Sequence, residues 1–110
     1  MNDLFLQKCI QCKGTDRPMT PQEFTVHLSS VPDWEVFQNK EIKKLFTFKN
    51  FKEALAFVNK VGAIAEEQGH HPNIFLHNWN KVTITLTTFA IKGLSLNDFI
   101  MAAKIDKHFS

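Results

Sequence analysis

The segment Lys81-Val82-Thr83-Ile84-Thr85-Leu86-Thr87 alternates strictly between polar and aliphatic side chains. Successive side chains of a strand point to opposite faces, so this alternation predicts a strand with one polar and one apolar face. The threonines suit a solvated β surface, whereas the aliphatic side chains need other elements to cover them. We therefore expect a sheet that helices cover on one face only.

The flanking segments predict three more strands. Residues 75–79 read as one strand, and residues 34–37 and 42–48 read as two strands joined by a short polar turn. With the helices between them, the predicted order is α-β-β-α-β-β-α. The expected class is α+β, with one four-stranded antiparallel sheet and helices packed on one face.

Capping residues mark the start of three helices. Thr20-Pro21-Gln22-Glu23 is a capping box with proline at the first helical position, and this helix should stop before Pro32. Asn50 begins the longest helix, which should end near Gly69. Ser95 begins the last one. The predicted buried positions are Phe24, Leu28 and Val31 in the first helix, Phe51, Ala54, Leu55, Val58, Val61, Gly62 and Ala65 in the second, and Leu96, Phe99, Ile100 and Ala103 in the third.

Length and composition indicate one domain with a real core. The 110 residues are 44% apolar and 12% aromatic, so we expect an N-terminal arm over residues 1–19 and a single domain over residues 20–110. A formal net charge of +2 is mild for a nucleic-acid binder, and we expect no direct nucleic-acid binding. No apolar run approaches the roughly 20 residues that a membrane helix needs. We expect no membrane association and a cytoplasmic location.

The two cysteines, Cys9 and Cys12, form a lone C-x-x-C in the arm. Such a pair supplies only two of the four ligands of a structural zinc site. A turn-rich stretch follows at residues 13–18 instead of the βαβ context of a thioredoxin-like motif. We expect two reduced thiols on a surface arm.

The segment His70-His71-Pro72 places two imidazoles where a helix ends and a strand begins. Histidine titrates near neutral pH, so one ring can give a proton while its neighbour accepts one. Pro72 favours an extended His71 and so restricts the directions of both rings. An exposed pair without a role remains the alternative. A metal site using His77 and Glu66 lacks a recognisable framework, and we predict neither metal nor cofactor.

Further motifs around the pair carry a family resemblance. They are Glu66, Trp79, Asn80-Lys81-Val82, Gly93-Leu94-Ser95 and Asp98, with the Cys-x-x-Cys arm, the Leu-x-x-x-Pro-x-Trp run of residues 28–34 and the Ala-Ala-Lys-Ile-Asp run of residues 102–106. Together with His-His-Pro they resemble the pterin-4a-carbinolamine dehydratases, small α+β proteins that recycle the oxidised cofactor of aromatic amino acid hydroxylases. The resemblance implies dehydration of 4a-hydroxytetrahydrobiopterin to quinonoid dihydropterin. It also implies a pterin substrate, a homodimer or homotetramer, and an aromatic amino acid hydroxylase as functional partner.

The resemblance also implies roles for individual residues. His70 and His71 would transfer protons, and Glu66 would orient an imidazole. The residues expected to bind substrate are Pro72, Trp79, Phe89 and Asp98. Two alternatives stay open: Asp98 suits the first turn of a helix for stability alone, and Trp79 could serve packing.

Phe89 is a departure from the family pattern, which usually has a third histidine after the strand that ends in Thr-Thr. A phenyl ring can stack on a flat heterocycle but transfers no proton. Acid–base groups typically contribute about 10²- to 10⁴-fold, so the chain could be a weakened enzyme. The alternative is an inactive member that acts as a binding or regulatory partner. Whether His77 replaces the missing group is left open.

Overall fold

The computed structural model describes residues 4–10 and 16–109 and confirms the predicted α+β class and element order. Its helices are α1 (Pro21–Leu28), α2 (Phe51–Gln68) and α3 (Leu96–Phe109). Its strands are β1 (Glu35–Phe37), β2 (Glu41–Thr47), β3 (Asn73–His77) and β4 (Lys81–Leu86). Two short 3-10 turns span Leu4–Leu6 and Phe89–Ile91.

The four strands form one antiparallel sheet in the order β1-β2-β4-β3. Strand β4 is central, and its Ile84 lies between Lys44 on β2 and Ile74 on β3. Val82, Ile84 and Leu86 are completely buried, whereas the threonines between them are partly exposed. This alternation confirms that the helices cover one face of the sheet.

Strand β3 differs from the sequence-based prediction, which placed it at residues 75–79. It spans Asn73–His77 because the next two residues, Asn78 and Trp79, adopt left-handed conformations with φ of 48° and 56°. Two successive residues with positive φ are typical of the tight type I′ turn that joins antiparallel strands. Trp79 therefore lies in the turn and is 62% exposed.

Helix α2 begins and ends as predicted. The side chain of Asn50 accepts a hydrogen bond from the Glu53 N–H, and Gly69 ends the helix with φ 67°, a conformation that costs glycine little. The buried stripe is Ala54, Phe57, Val61 and Ala65. Phe51 and Leu55, two residues that we predicted to be buried, are exposed, and Phe57 was missed. Leu55 lies about 100° around the helix from Ala54, outside a stripe of this width.

Helix α1 ends at Leu28, several residues before Pro32, the residue that we expected to limit it. Its capping box is formed, since Thr20 and Glu23 each accept a hydrogen bond from the other's backbone N–H. The helix stops at Leu28, and Val31 is buried from the loop that follows instead of from the helix.

Helix α3 is buried on several sides, whereas the sequence predicted a single buried stripe. Every residue from 97 to 103 is at most 6% exposed, including the polar Asn97 and Asp98. The helix contacts α1, α2, β4 and the 3-10 turn Leu4–Leu6. Polar residues near its start are therefore enclosed, and they need partners within the protein.

The described part of the N-terminal arm packs against the domain. Leu4 belongs to the core, and the Lys104 ammonium donates a hydrogen bond to the Phe5 carbonyl oxygen at 2.8 Å. Cys9 is partly buried and packs against the core. Cys12, the other half of the C-x-x-C motif, lies outside the described residues.

Candidate active site

His70 and His71 lie at the exit of α2, immediately after the left-handed Gly69. The Gly69 N–H bonds to the Ala65 carbonyl oxygen, and β3 begins only two residues after His71. The short connection between two regular elements limits the backbone freedom of both histidines. Both line a cavity of about 310 Å³ at this junction.

His70 is held by a buried carboxylate. Its Nε2 lies 2.7 Å from Oδ1 of Asp98, and the two side chains are 12% and 0% exposed. A carboxylate only accepts hydrogen bonds, so Nε2 carries the hydrogen and Nδ1 is left as the basic nitrogen of the neutral ring. The contact joins residues 28 positions apart in the sequence.

Asp98 also holds the start of α3. Its Oδ2 accepts hydrogen bonds from the Ser95 N–H at 3.0 Å and from the Thr88 hydroxyl at 2.8 Å. The sequence left a capping role and a role at the site as alternatives, and the geometry combines them. One carboxylate caps the helix with one oxygen and orients the His70 ring with the other.

His71 also pairs with a carboxylate, but in solvent. Its Nε2 lies 2.5 Å from Oε2 of Glu66, and the two side chains are 61% and 79% exposed. Glu66 belongs to the last turn of α2, so the pair bridges the end of this helix and the segment after it. Glu66 therefore contacts the imidazole of His71, and its role in orienting that ring stays a prediction.

Phe89 lines the same cavity as the two histidines and is 72% exposed. It begins the 3-10 turn Phe89–Ile91, which is closed by a bridge between Thr88 and Gly93. The ring therefore stands where the family pattern usually has its third histidine, next to the groups expected to transfer protons.

The turn that carries Phe89 is supported from the segment before α1. A Cβ atom at Gly93 would lie 2.5 Å from Cβ of Pro18, so no larger residue fits there without a shift. The adjacent Met19 N–H donates to the Leu94 carbonyl oxygen at 2.8 Å. These contacts fix the backbone of the turn independently of the side chain at position 89.

Of the cavity-lining residues that the sequence reasoning missed, four come from the N-terminal arm and from the adjoining helix ends. They are Cys9, Ile10, Gln68 and Asn97. No local pattern pointed to them, because they come together only when the N-terminal arm packs across the end of α2 and the start of α3.

Three of the four predicted substrate-binding residues, Pro72, Trp79 and Asp98, are not among the residues lining this cavity. Pro72 is partly buried just before β3, and Trp79 projects from the β3–β4 turn. His77 lies on the open face of the sheet, where Nε2 contacts the Thr83 hydroxyl at 2.9 Å and the ring stacks on Phe75. Within one chain, the structure thus gives no sign that His77 replaces the missing histidine.

Residues 4–10 and 16–109 show neither a metal-binding cluster nor a membrane-spanning helix. In this part of the chain no three His, Cys, Asp or Glu side chains are grouped so as to hold a metal ion. Nor does any helix there combine the length and the apolar character that crossing a bilayer requires.

Comparison with known proteins gives a consistent result. The sequence model of the family described as Pterin 4 alpha carbinolamine dehydratase matches residues 17–108. Proteins named "Putative pterin-4-alpha-carbinolamine dehydratase" from Alkaliphilus metalliredigens and Saccharophagus degradans are 44% and 48% identical to the chain; the matches cover 100% and 97% of this chain and 99% and 96% of theirs.

Two solved structures are similar as well. A transcriptional coactivator/pterin dehydratase from Brucella melitensis is 30% identical with a TM-score of 0.76, covering 83% of this chain and 97% of that one. A pterin dehydratase-like protein described as a RuBisCO assembly factor in the alpha-carboxysome is 27% identical with a TM-score of 0.58, covering 68% and 87%. By its sequence and its fold, the chain belongs to the pterin-4a-carbinolamine dehydratase family.

Proposed function

We propose that the protein dehydrates 4a-hydroxytetrahydrobiopterin to quinonoid dihydropterin and water. The observation that carries the proposal is the pair of adjacent imidazoles, each bonded to its own carboxylate, at the edge of one cavity. Ligand pockets usually measure about 300–1,000 Å³, so a cavity of about 310 Å³ suits a bicyclic ring better than a larger ligand.

The proposed reaction needs two proton transfers. The C4a–O bond breaks as a proton reaches the departing hydroxyl group, which leaves as water. The N5 lone pair forms the new C4a=N5 double bond, and N5 then loses its hydrogen to a base. His70 and His71 supply the acid and the base, and the net change is the loss of one water molecule.

The carboxylates prepare the imidazoles for these transfers. Asp98 and Glu66 each accept from an Nε2–H, which fixes the tautomer and leaves the Nδ1 atoms of His70 and His71 to exchange protons with the substrate. In this proposal Asp98 acts on the pterin through His70, and the exposed Phe89 ring provides a surface on which the flat heterocycle stacks.

A second candidate function is a binding or assembly role without turnover. Phe89 favours it, because a phenyl ring at the cavity cannot supply the third proton-transfer group of the family pattern. Two structural relatives are described as a transcriptional coactivator/pterin dehydratase and as a RuBisCO assembly factor. These descriptions support the idea that this scaffold can also serve as a partner for another protein.

The proposal also covers the oligomeric state of the protein, the source of its substrate and its cellular location. Strand β3 is at the edge of the sheet, and its Phe75 is exposed, which supports pairing with a second copy as a homodimer or homotetramer. An aromatic amino acid hydroxylase would supply the substrate, and the cytoplasm is the proposed location. Light scattering of the purified chain measures the assembly state.

One assay separates the two functions. The 4a-hydroxy intermediate is generated by an aromatic amino acid hydroxylase, and its decay is followed with the wild-type chain, His71→Ala and Phe89→His. We expect the wild-type chain to accelerate the decay and His71→Ala to lose about 10²- to 10⁴-fold of that acceleration. His77→Ala is the matched control, because this histidine lies on the open sheet face, and it should retain activity.

The outcomes have opposite meanings. If the intermediate decays no faster with the wild-type chain than in buffer, and Phe89→His gains activity, the wild-type chain is not a dehydratase. Wild-type turnover that survives His71→Ala would contradict the assigned mechanism.

A further inference from the structure

The last two residues of the N-terminal segment 4–10 border the candidate active site. Cys9 and Ile10 line the same cavity as His70 and His71. This side of the cavity is therefore built by a segment that is distant in sequence from both histidines.

The side-chain amide of Asn97 holds this segment at Ile10. Its Oδ1 accepts from the Ile10 N–H at 2.8 Å, and its Nδ2 donates to the Ile10 carbonyl oxygen. Asn97 is 6% exposed and Ile10 is 78% exposed, so these bonds join a buried side chain to a segment at the surface. Without the Asn97 amide, water would take over the Ile10 backbone groups, and the segment would lose two direct bonds that hold it to α3.

Gln68 holds the neighbouring residue. Its Oε1 accepts from the Cys9 N–H at 2.9 Å, and the Cys9 thiol lies 3.7 Å from the Asn97 carbonyl oxygen. The N–H groups of Cys9 and Ile10 are thus both used within the protein. What the segment can offer a ligand is mainly the side chains of these two residues, so its contribution is shape and packing.

The other end of the segment is anchored separately. Leu4 is buried in the core, and Lys104 on α3 donates to the Phe5 carbonyl oxygen. Anchors at both ends restrain the strip that borders the cavity, and a restrained wall loses little entropy when a ligand binds.

We propose that Cys9 and Ile10 form one wall of the pterin site and that Asn97 and Gln68 are the positioning residues that hold this wall in place. The proposal rests on the proposed function for the identity of the ligand. A wall that contacts substrate and transition state equally changes KM and leaves kcat nearly constant. The wall is therefore distinguished from the proton-transferring histidines by its kinetic signature.

The test compares Asn97→Ala and Gln68→Ala with a matched control, Asn50→Ala. Asn50 caps the opposite end of α2, roughly 27 Å away at about 1.5 Å per residue, and its side chain also accepts a backbone hydrogen bond. The control thus loses a comparable interaction without touching the segment. Gln68→Ala is the milder variant and keeps the test valid if Asn97→Ala fails to fold.

Three measurements are made on the full-length chain. They are the hydrogen exchange rate of the Ile10 amide, the Kd for 7,8-dihydrobiopterin as a probe, and the steady-state KM and kcat. We expect Asn97→Ala to expose the Ile10 amide and to raise both Kd and KM roughly 10-fold, with kcat within about 2-fold of wild type. Gln68→Ala should raise Kd about 3-fold, and Asn50→Ala should leave all three near wild type.

Two results would overturn the proposal. One is an Ile10 amide that exchanges in the wild-type chain as fast as in an unfolded peptide. The other is an Asn97→Ala chain that releases Ile10 but binds the probe as tightly as wild type.

Failure of the proposed function is recognised separately. A wild-type chain that binds the probe without turnover refutes the dehydratase activity, and the wall is then judged on Kd. If the probe does not bind at all, the wall is tested by the rate at which diethyl pyrocarbonate modifies His70. Removing the wall should expose this ring and speed its modification in Asn97→Ala relative to Asn50→Ala, and equal rates would refute the wall.

Discussion

The two imidazole–carboxylate pairs of the site are chemically alike but differ in environment. His70 and Asp98 form their contact inside the protein, where Asp98 is completely buried. His71 and Glu66 form theirs at the surface, where both side chains are more than half exposed. Adjacent residues of the same type are therefore under different constraints, and the two pairs should respond differently to the same substitution.

The difference follows from desolvation. A buried charged group whose partner is removed is left without water to replace it, which typically costs about 3–5 kcal/mol. An exposed pair exchanges its contact for water and usually contributes about 0–1 kcal/mol. The inner pair thus links stability to activity, whereas the outer pair affects activity with little effect on stability.

The largest effect is expected from Asp98→Asn. An amide has one acceptor oxygen, so it cannot satisfy His70, Thr88 and Ser95 together, and its NH₂ group would face a donor. We expect the free energy of unfolding to fall by about 2–4 kcal/mol and kcat to fall by about 10²- to 10⁴-fold. Urea unfolding and the intermediate-decay assay measure the two effects.

Asp106→Asn is the control for this variant. Asp106 accepts hydrogen bonds from the Trp34 indole and the Lys44 ammonium, neither of which lines the cavity. This variant should lose stability but retain kcat. Equal losses of kcat in both variants would show that Asp98 acts through stability alone.

The second comparison sets His70→Ala against His71→Ala. Both should reduce kcat by about 10²-fold or more, because each removes a proton-transfer group. Only His70→Ala deprives a buried carboxylate of a donor, so it should also cost about 1–3 kcal/mol of stability. His71→Ala should stay within about 0.5 kcal/mol of wild type. Thermal unfolding measured beside turnover tests this, and equal stability losses would contradict the inner and outer assignment.

A smaller effect is expected from Glu66→Gln. The amide can still accept from His71 Nε2 through its oxygen, and solvent screens the lost charge. We expect a change in stability below about 1 kcal/mol and only a few-fold decrease in kcat. A decrease as large as that of Asp98→Asn would show that exposure does not separate the two pairs.

The smallest effect concerns Glu23, an exposed carboxylate that serves as a reference for Glu66. The hydrogen bond from Arg17, with help from the Thr20 N–H, lowers the pKa of Glu23 to about 2 from an ordinary 4.5. A lowered folded-state pKa contributes stability above pH 4.5 that disappears as the pH falls towards 2. Glu23→Gln should therefore be slightly less stable than wild type at pH 6 and equally stable near pH 2, as judged by thermal unfolding at each pH.

Local patterns in the sequence were sufficient for most of the fold. Strict alternation marked β4, and capping residues marked the starts of α1 and α2, because these signals act over only a few residues. The predicted end of β3 at Trp79 was wrong, because the strand ends at His77. The turn was missed since an aromatic residue such as Trp79 is not typical of a left-handed conformation. Phe51 and Leu55 were wrongly predicted to be buried, because tertiary packing decides how wide the buried stripe of a helix is.

The site could be predicted from sequence only in its local part. His70, His71, Glu66 and Phe89 lie in or next to recognisable motifs, and the structure brings His70, His71 and Phe89 to one cavity. The bond between Asp98 and His70 could not be chosen over a simple helix cap, because it joins distant segments. Asn97 resembled an ordinary polar helix residue until the packed N-terminal segment gave its amide two backbone partners.

The close approach of Gly93 to Pro18 has a consequence for how this scaffold can change over time. Because that contact and the Met19–Leu94 hydrogen bond hold the turn, its backbone does not depend on the ring of Phe89, which is largely in solvent. Phenylalanine and histidine are therefore interchangeable at this position as far as folding is concerned. One amino-acid substitution at this position could therefore add or remove a proton-transfer group with little cost to the fold.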